Sequence, residues 1–375
     1  MPPKNRLEIS LIDLPMAQCE NDFGIIFITL DGVIMMFNKH FLAAMGIAAA
    51  SAFAFNFSNY QIHSENASAA TQLTYGKITN NSLHRLGTIR QLTRAQLAED
   101  HQLTGKQVQN LIYLPLPKRL TAHNFTLTKT DLTIHLTKNA YSVKSVAIPL
   151  NKLTGIILNR YMPSQYDFVK PKSPKKVVSL TFDDGPDPTL TPKLLKILKH
   201  YNVHATFFEV GSSVIRYPSV SRLVLKYGNQ IGNHSWNHPD LTTLSTAKAQ
   251  RQIALTDAAI YKATGTIPMY IRPPYGSVNS RIGNLYDRPI VRWNVDSRDW
   301  AYLNTPKTVN HVLATTHNGS IILMHDIHPT SVAAVPQIIR SLKRRGYTFV
   351  TLPALMQKPL LANLQYFGRG DFRGF

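Results

Sequence analysis

Between residues 177 and 351 short apolar runs alternate with helix-patterned stretches, and this alternation restricts the possible folds more than any other feature of the chain. The apolar runs are Val177–Phe182, Ala205–Phe208, Gln230–Gly232, Met269–Arg272, Ile290–Asn294, Ser320–Met324 and Thr348–Thr351. Between them lie Thr191–His200, Ser213–Tyr227, Ala247–Thr264, Lys307–Thr316 and Ala334–Arg344, whose length and spacing predict helices. A strand that returns through a helix pairs in parallel, so this order predicts an α/β fold with a parallel sheet. About seven such units predict a barrel, in which functional residues gather at the C-terminal strand ends.

The rest of the chain divides around this unit. Residues 71–168 read as a small α+β accessory domain, with a helix over Thr93–Ile112. Its strands alternate apolar and polar residues in FTLTKTDLTIHLTK and VKSVAIPL. VKPKSPKK (Val169–Lys176) reads as an exposed basic Pro/Lys linker over 169–176. The barrel domain is expected over 177–358, with 359–375 as a C-terminal tail.

Residues 36–70 carry the three regions of an export signal. Lys39 opens it, an uncharged apolar run extends from Phe41 to Phe55, and Ala67-Ser68-Ala69 follows as a small-x-small cleavage site. The run is shorter than the roughly 20 residues a membrane span needs. A cleaved signal peptide is therefore favoured over an uncleaved N-terminal membrane anchor, with a buried core helix as the third reading. The expected location is extracellular or cell-envelope associated. Residues 1–35 sit awkwardly ahead of such a signal and read as a mis-assigned N-terminal extension, with Met35 or Met36 as the natural start. Cys19 is the only cysteine, so no intrachain disulfide is available.

A formal net charge of +20 suits an anionic partner: nucleic acid, a membrane surface or an acidic cell wall. No zinc-finger spacing, RNA-binding aromatic motif or Arg-rich recognition helix appears, which argues against nucleic acid.

Polar motifs close several of the apolar runs. Asp183 and Asp184 end the first and are stopped by Gly185 and Pro186. GNHSWNHPDL holds His234 and His238, four apart; on one helical turn both imidazoles share a face, as in zinc motifs, although surface pairs at this spacing are common. Two His and one Asp would leave coordination positions open for water and substrate. In RPPYG, Arg272 is placed to pair with a carboxylate, and the prolines fix the loop so that the Tyr275 N–H can be aimed; a rigid surface turn is the plainer reading. DSRDW adds Asp299 and Trp300, and IILMHD ends a buried run with His325.

TFDDGP, HSWNH, RPPYG, DSRDW and LMHD, in this order over roughly residues 175–356, resemble the five motifs of the polysaccharide deacetylase family (carbohydrate esterase family 4). The resemblance implies a distorted (β/α) barrel and metal-dependent removal of N-acetyl groups, sometimes O-acetyl groups, from polysaccharides. It divides the two acids: Asp184, with His234 and His238, would hold the metal, while Asp183 would stay free as general base. Arg272 would orient Asp183 and keep it ionised. His325 would be the general acid, supported by Asp299. The Tyr275 N–H would stabilise the oxyanion, and Trp300 and Leu323 would pack on the acetyl methyl. The implied metal is one divalent ion, zinc, with cobalt or manganese as alternatives.

The polymer is not written in the motifs. The export signal, the basic catalytic domain and the accessory domain favour N-acetylglucosamine of peptidoglycan, in an anionic wall that would concentrate a cationic enzyme. Chitin oligosaccharides, xylan, a glucosamine exopolysaccharide and an inactive glycan-binding wall protein remain open alternatives.

Overall fold

The computed structural model describes residues 25–30, 33–38, 78–121, 123–166, 168–170 and 174–375. It divides into two units, Met1–Ala70 and Thr71–Phe375. In the first, β1 (Ile25–Leu30) and β2 (Val33–Asn38) pair as an antiparallel hairpin. The expected signal or anchor lies otherwise outside the described residues. Among the described residues no helix is long and apolar enough to cross a membrane.

The second unit opens with α1 (Leu83–His101) and α2 (Gly105–Asn110). They stand where one helix over Thr93–Ile112 was expected. Gln102 takes a left-handed φ of 45° and ends α1. Thr104 and Gln107 then form a capping box that starts α2. Three antiparallel strands follow in the order β3 (Phe125–Leu127), β4 (Asp131–His135) and β5 (Ser145–Pro149). Alternation sends Leu132, Ile134, Val146 and Ile148 inward against α1: Leu132, Ile134 and Ile148 cluster with Leu86 and Ile89, and Val146 with Leu97 and Ala98.

The barrel strands are β6 (Lys176–Asp183), β7 (Thr206–Glu209), β8 (Gln230–Asn233), β9 (Ile290–Val291), β10 (Val295–Asp296), β11 (Ser320–His325), β12 (Tyr347–Phe349), β13 (Gln365–Gly368) and β14 (Asp371–Arg373). Helices α3 (Leu190–His200), α4 (Gly211–Arg216), α5 (Pro218–Lys226), α6 (Thr246–Thr264), α7 (Thr305–Thr315) and α8 (Pro329–Arg344) connect them. The ring runs β6–β7–β8, crosses Ile271 to β9, continues to β13 and β11, and returns to β6. It is distorted because Ile271 alone replaces a strand and β13 runs antiparallel to β11, meeting it at the single pair Ser320–Gly368.

Three sequence expectations change here. Met269–Arg272 forms only the bridge at Ile271, since Pro268, Pro273 and Pro274 remove ladder donors around it. Ser213–Tyr227 splits into α4 and α5 at Pro218, which occupies the first turn of α5. Residues 359–375, read as a tail, supply β13 and β14; Tyr366 is buried, and β13 closes the ring between β9 and β11.

The period of two along β6 explains how the barrel presents its chemistry. Val178, Leu180 and Phe182 face outward into the layer of α3, α5 and α8, beside Leu194, Leu198 and Ile338. Ser179, Thr181 and Asp183 therefore face the interior. In parallel register His325 pairs with Asp183 and Leu323 with Thr181, so these share that face. Truncating a buried leucine of the outer layer to alanine costs about 2–5 kcal/mol, so the scaffold holding the strand ends is stiff.

Candidate active site

Asp183 is the last residue of β6 and is buried. Asp184 follows with φ 77°, which turns its side chain away from the strand's alternation. Gly185 comes next because a Cβ there would lie 2.5 Å from both carboxylate oxygens of Asp326. Asp187 then starts α3, its Oδ1 accepting from the Thr189 and Leu190 N–H groups at 2.8 and 2.7 Å. The segment thus sends two adjacent acids in different directions and locks the turn after them.

Arg272 is fully buried. Its Nη1 donates to Asp183 Oδ1 at 2.7 Å and to Thr181 Oγ1 at 2.8 Å. Its Nε and Nη2 donate to the Val291 and Arg292 carbonyls, both at 3.0 Å, and its plane lies 4.2 Å from the Phe208 ring centroid. Burial pulls the guanidinium pKa down, and Asp183 opposes that pull. A buried cation this fully paired fixes one oxygen of Asp183 and leaves Oδ2 for other work.

His234 and His238 do not sit on a helical turn. They lie in the loop after β8, where Ser235 and His238 have φ of 68° and 61°. The His238 N–H donates to Ser235 Oγ at 3.1 Å. His234 Nδ1–H donates to the Arg272 carbonyl at 2.7 Å, which leaves Nε2 as the lone-pair nitrogen facing the mouth. Nε2 of His234 and of His238 stand 3.4 and 3.3 Å from Asp184 Oδ1.

These three residues could hold a metal ion, their ligand atoms lying within 4.8 Å of one another. Two observations fit. Asp184 Oδ1 is buried without a hydrogen-bond partner, which is costly unless a cation satisfies it. The donor spacing also matches neighbouring ligands about 2.0–2.2 Å from one tetrahedral ion. Burial pushes the Asp184 pKa up, but the His234 imidazole beside it and the His325 and His238 charges outweigh it and hold the carboxyl below its usual range. Burial lowers the His234 pKa, and Asp183 and Asp184 more than reverse this; a site that favours a proton there favours a metal cation too.

Across the mouth, His325 Nδ1–H donates to Asp299 Oδ1 and the His325 backbone N–H donates to Asp299 Oδ2, both at 2.8 Å. Asp299 is fully buried. Burial alone would lower the His325 pKa; the Asp299 hydrogen bond and charge raise it to about 9. Nε2 of His325 lies 4.0 Å from Asp184 Oδ2, which joins the two sides in one site.

Tyr275 has φ 59°, and its ring meets His238 edge-on at 4.6 Å. Tyr275 and Trp300 are 68% and 54% exposed, so both present surface a ligand can cover. Leu323 is buried on the same strand face as His325. The sequence reading missed Thr181, two residues before Asp183 and on its face, and Asn233, whose Oδ1 accepts from the Ser235 N–H at 2.9 Å. Period two gives the first; no sequence signal gives the second. It also missed Asp326, buried and pushed up to about 7 by that burial.

Comparison with known proteins agrees with this geometry. A family model described as polysaccharide deacetylase matches residues 170–288. Peptidoglycan-N-acetylglucosamine deacetylase PgdA of Listeria monocytogenes is 36% identical over 312 residues, covering 82% of this chain and 66% of its own. Peptidoglycan-N-acetylmuramic acid deacetylase PdaC of Bacillus subtilis is 38% identical over 230 residues, covering 56% and 49%. A peptidoglycan-N-acetylglucosamine deacetylase of Bacillus cereus is 38% identical over 190 residues, covering 49% and 69%. This chain therefore spans just under two thirds of the Listeria relative and about half of the Bacillus subtilis one. Among solved structures, a T48 deacetylase with substrate superposes with a TM-score of 0.50 at 41% identity, covering 51% of this chain and 96% of its own.

Proposed function

Because this chain belongs to the polysaccharide deacetylase family, we propose that it hydrolyses the N-acetyl group of N-acetylglucosamine in an exported setting, with peptidoglycan as its polymer. One observation carries the reading. Asp183 with Arg272, His325 with Asp299, and the trio Asp184, His234 and His238 share one mouth at the C-terminal strand ends.

The reaction cleaves the amide C–N bond with water, giving acetate and a free amine. Asp184, His234 and His238 would hold a divalent metal, zinc in this reading, which would supply Lewis-acid polarisation of the acetyl carbonyl and would lower the pKa of water towards about 7. Asp183 is the base: Arg272 occupies Oδ1, and Oδ2, 3.6 Å from His234 Nε2, takes a proton from the attacking water. His325 is the acid. Its Nδ1 is committed to Asp299, so the proton on Nε2 faces the mouth and passes to the departing nitrogen. Without that proton the amine would have to leave as an anion. The Tyr275 N–H takes part of the oxyanion charge, a kind of donor whose loss costs about 3–4 kcal/mol. Trp300 and Leu323 flank the acetyl methyl.

The relatives' named substrates support peptidoglycan, and a strongly basic chain suits an anionic wall. The test is mass spectrometry of glycan fragments after incubating the zinc-supplemented protein with purified wall and, separately, with chitin oligomers, acetylated xylan and an acetylated glucosamine exopolysaccharide. Loss of one acetyl mass from N-acetylglucosamine of the wall is expected. Loss only from N-acetylmuramic acid, or only from chitin, xylan or a glucosamine exopolysaccharide, would replace the polymer. Glycan binding without mass loss would make this a wall-binding protein instead.

A further inference from the structure

The accessory domain reaches the metal-binding loop through a largely buried series of polar groups, joined by hydrogen bonds and, at Asp287–Arg288, by the backbone. At its start, Arg90 and Arg94 on α1 grip Asp287 in the catalytic domain. Arg90 Nε donates to Asp287 Oδ2 at 2.9 Å, its Nη2 pairs with Oδ1, and Arg94 Nη1 donates to Oδ2 at 3.0 Å. Asp287 is buried and has φ 54°, a backbone conformation an aspartate holds at a cost. The next residue, Arg288, makes a bidentate pair with Asp257 of α6 at 2.8 and 2.5 Å, and both partners are buried. Asp257 Oδ1 also accepts from Asn233 Nδ2 at 2.8 Å. Asn233 is fully buried, immediately precedes His234, and accepts from the Ser235 N–H; Ser235 Oγ in turn accepts from the His238 N–H at 3.1 Å.

We propose that Asp287, Arg288, Asp257 and Asn233 are positioning residues through which the accessory helix α1 sets the metal-binding loop between His234 and His238. The accessory domain is on this account part of the metal site's support, beyond any part it plays in reaching the wall. The physical case is that the loop is locally unfavourable. Ser235 and His238 both occupy left-handed backbone, and such residues persist only where surrounding structure over-determines them. Asn233 supplies that determination with both ends of its amide. Its orientation is fixed by a carboxylate that would be an unpaired buried charge without Arg288. Arg288 is in turn held at the register set by Asp287, whose charge is balanced from the other domain. Additional contacts keep α1 seated nearby: the Tyr261 hydroxyl of α6 donates to the Ala98 carbonyl at 2.9 Å, and the Ala362 N–H donates to Thr88 Oγ1 at 2.9 Å.

The inference rests on the metal reading of Asp184, His234 and His238, and its test separates the two. Zinc affinity of the full chain is measured by competition with a chromophoric chelator, alongside circular dichroism and a urea midpoint. Outer-sphere partners of metal ligands are worth roughly 10–100-fold in affinity. Asn233→Ala and Asp257→Asn are expected to fall in that range, and Asp287→Asn and Arg90→Ala to weaken zinc by several-fold while remaining folded. Val146→Ala, a cavity in the accessory core that removes no group of this polar chain, controls for simple destabilisation: it should lower the urea midpoint and leave zinc affinity unchanged. Zinc affinity at the wild-type value in folded Asp287→Asn and Arg90→Ala, or an equal loss in Val146→Ala, overturns the proposal. A wild-type chain that binds no zinc removes the metal reading and the proposal together.

Discussion

The two flanks of the mouth treat charge in opposite ways. On one, Arg272 meets Asp183 at 2.7 Å and His325 meets Asp299 at 2.8 Å, each pair further anchored by backbone groups. On the other, Asp184 Oδ1 is buried with no hydrogen bond, and its nearest imidazole nitrogens stand off at 3.3 and 3.4 Å. The first flank is complete as protein alone. The second, on the metal reading proposed above, would be completed by a cation. Paired groups hold geometry; the unpaired one is where binding energy remains to be gained.

Substitution on each flank breaks this contrast most directly. Asp184→Ala should cut zinc affinity more than about 100-fold, beyond the range of outer-sphere partners. It should cost the metal-free protein some stability, since the His234, His325 and His238 charges that hold the carboxyl below its usual range lose their partner. The cost should be less than loss of a paired group, because Oδ1 has no hydrogen bond to lose. Arg272→Met should do the reverse, destabilising the metal-free chain by about 3–5 kcal/mol by stranding a buried carboxylate. Chelator competition and urea unfolding of the metal-free proteins check both. Equal stability losses for the two variants would erase the distinction between the flanks.

What the sequence discloses about this contrast is uneven, for identifiable reasons. The acids and histidines were legible because strand ends are marked by where an apolar run stops, and TFDDGP, RPPYG and LMHD each stop one. The Asp184, His234 and His238 set came from a resemblance; the spacing itself suggested a helical turn that the left-handed Ser235 and His238 do not make. The strand that closes the barrel was hidden, since Gln365–Gly368 is short and its ring partners β9 and β11 are far away in sequence. Asp287 and Arg288 carry no local pattern at all: their partners are Arg90, Arg94 and Asp257, and only folding brings those together.

Within the complete flank, a smaller change sharpens what Asp183 does beyond balancing Arg272. Asp183→Asn keeps the shape and an acceptor for Arg272 but removes the proton-accepting oxygen. Zinc content should stay near wild type while kcat on glycan falls about 100- to 10,000-fold, the usual worth of a positioned base. Metal analysis and initial rates on the same preparation decide it. Turnover near wild type would move the base elsewhere, and loss of zinc would place Asp183 among the ligands, 3.6 Å as it is from His234 Nε2.

The mildest test concerns the His325–Asp299 pair. Its folded pKa of about 9 stands above the ordinary 6.5 because the Asp299 hydrogen bond and charge outweigh burial. A raised histidine pKa means the folded state holds the proton more tightly than the unfolded chain does. That stabilisation is fully present below about pH 6.5 and disappears as pH rises through about 9. Asp299→Asn should therefore bring the His325 titration down to about 6.5 or lower, a loss of about 3 kcal/mol at 1.36 kcal/mol per pH unit. The stability gap between wild type and variant, measured on metal-free protein, should be wide at pH 6 and narrower at pH 10. Ring-proton NMR titration and urea midpoints at the two pH values give both readings. An unmoved His325 titration would mean that Asp183 and Asp184 hold its proton, and the paired and unpaired flanks would then be one electrostatic unit.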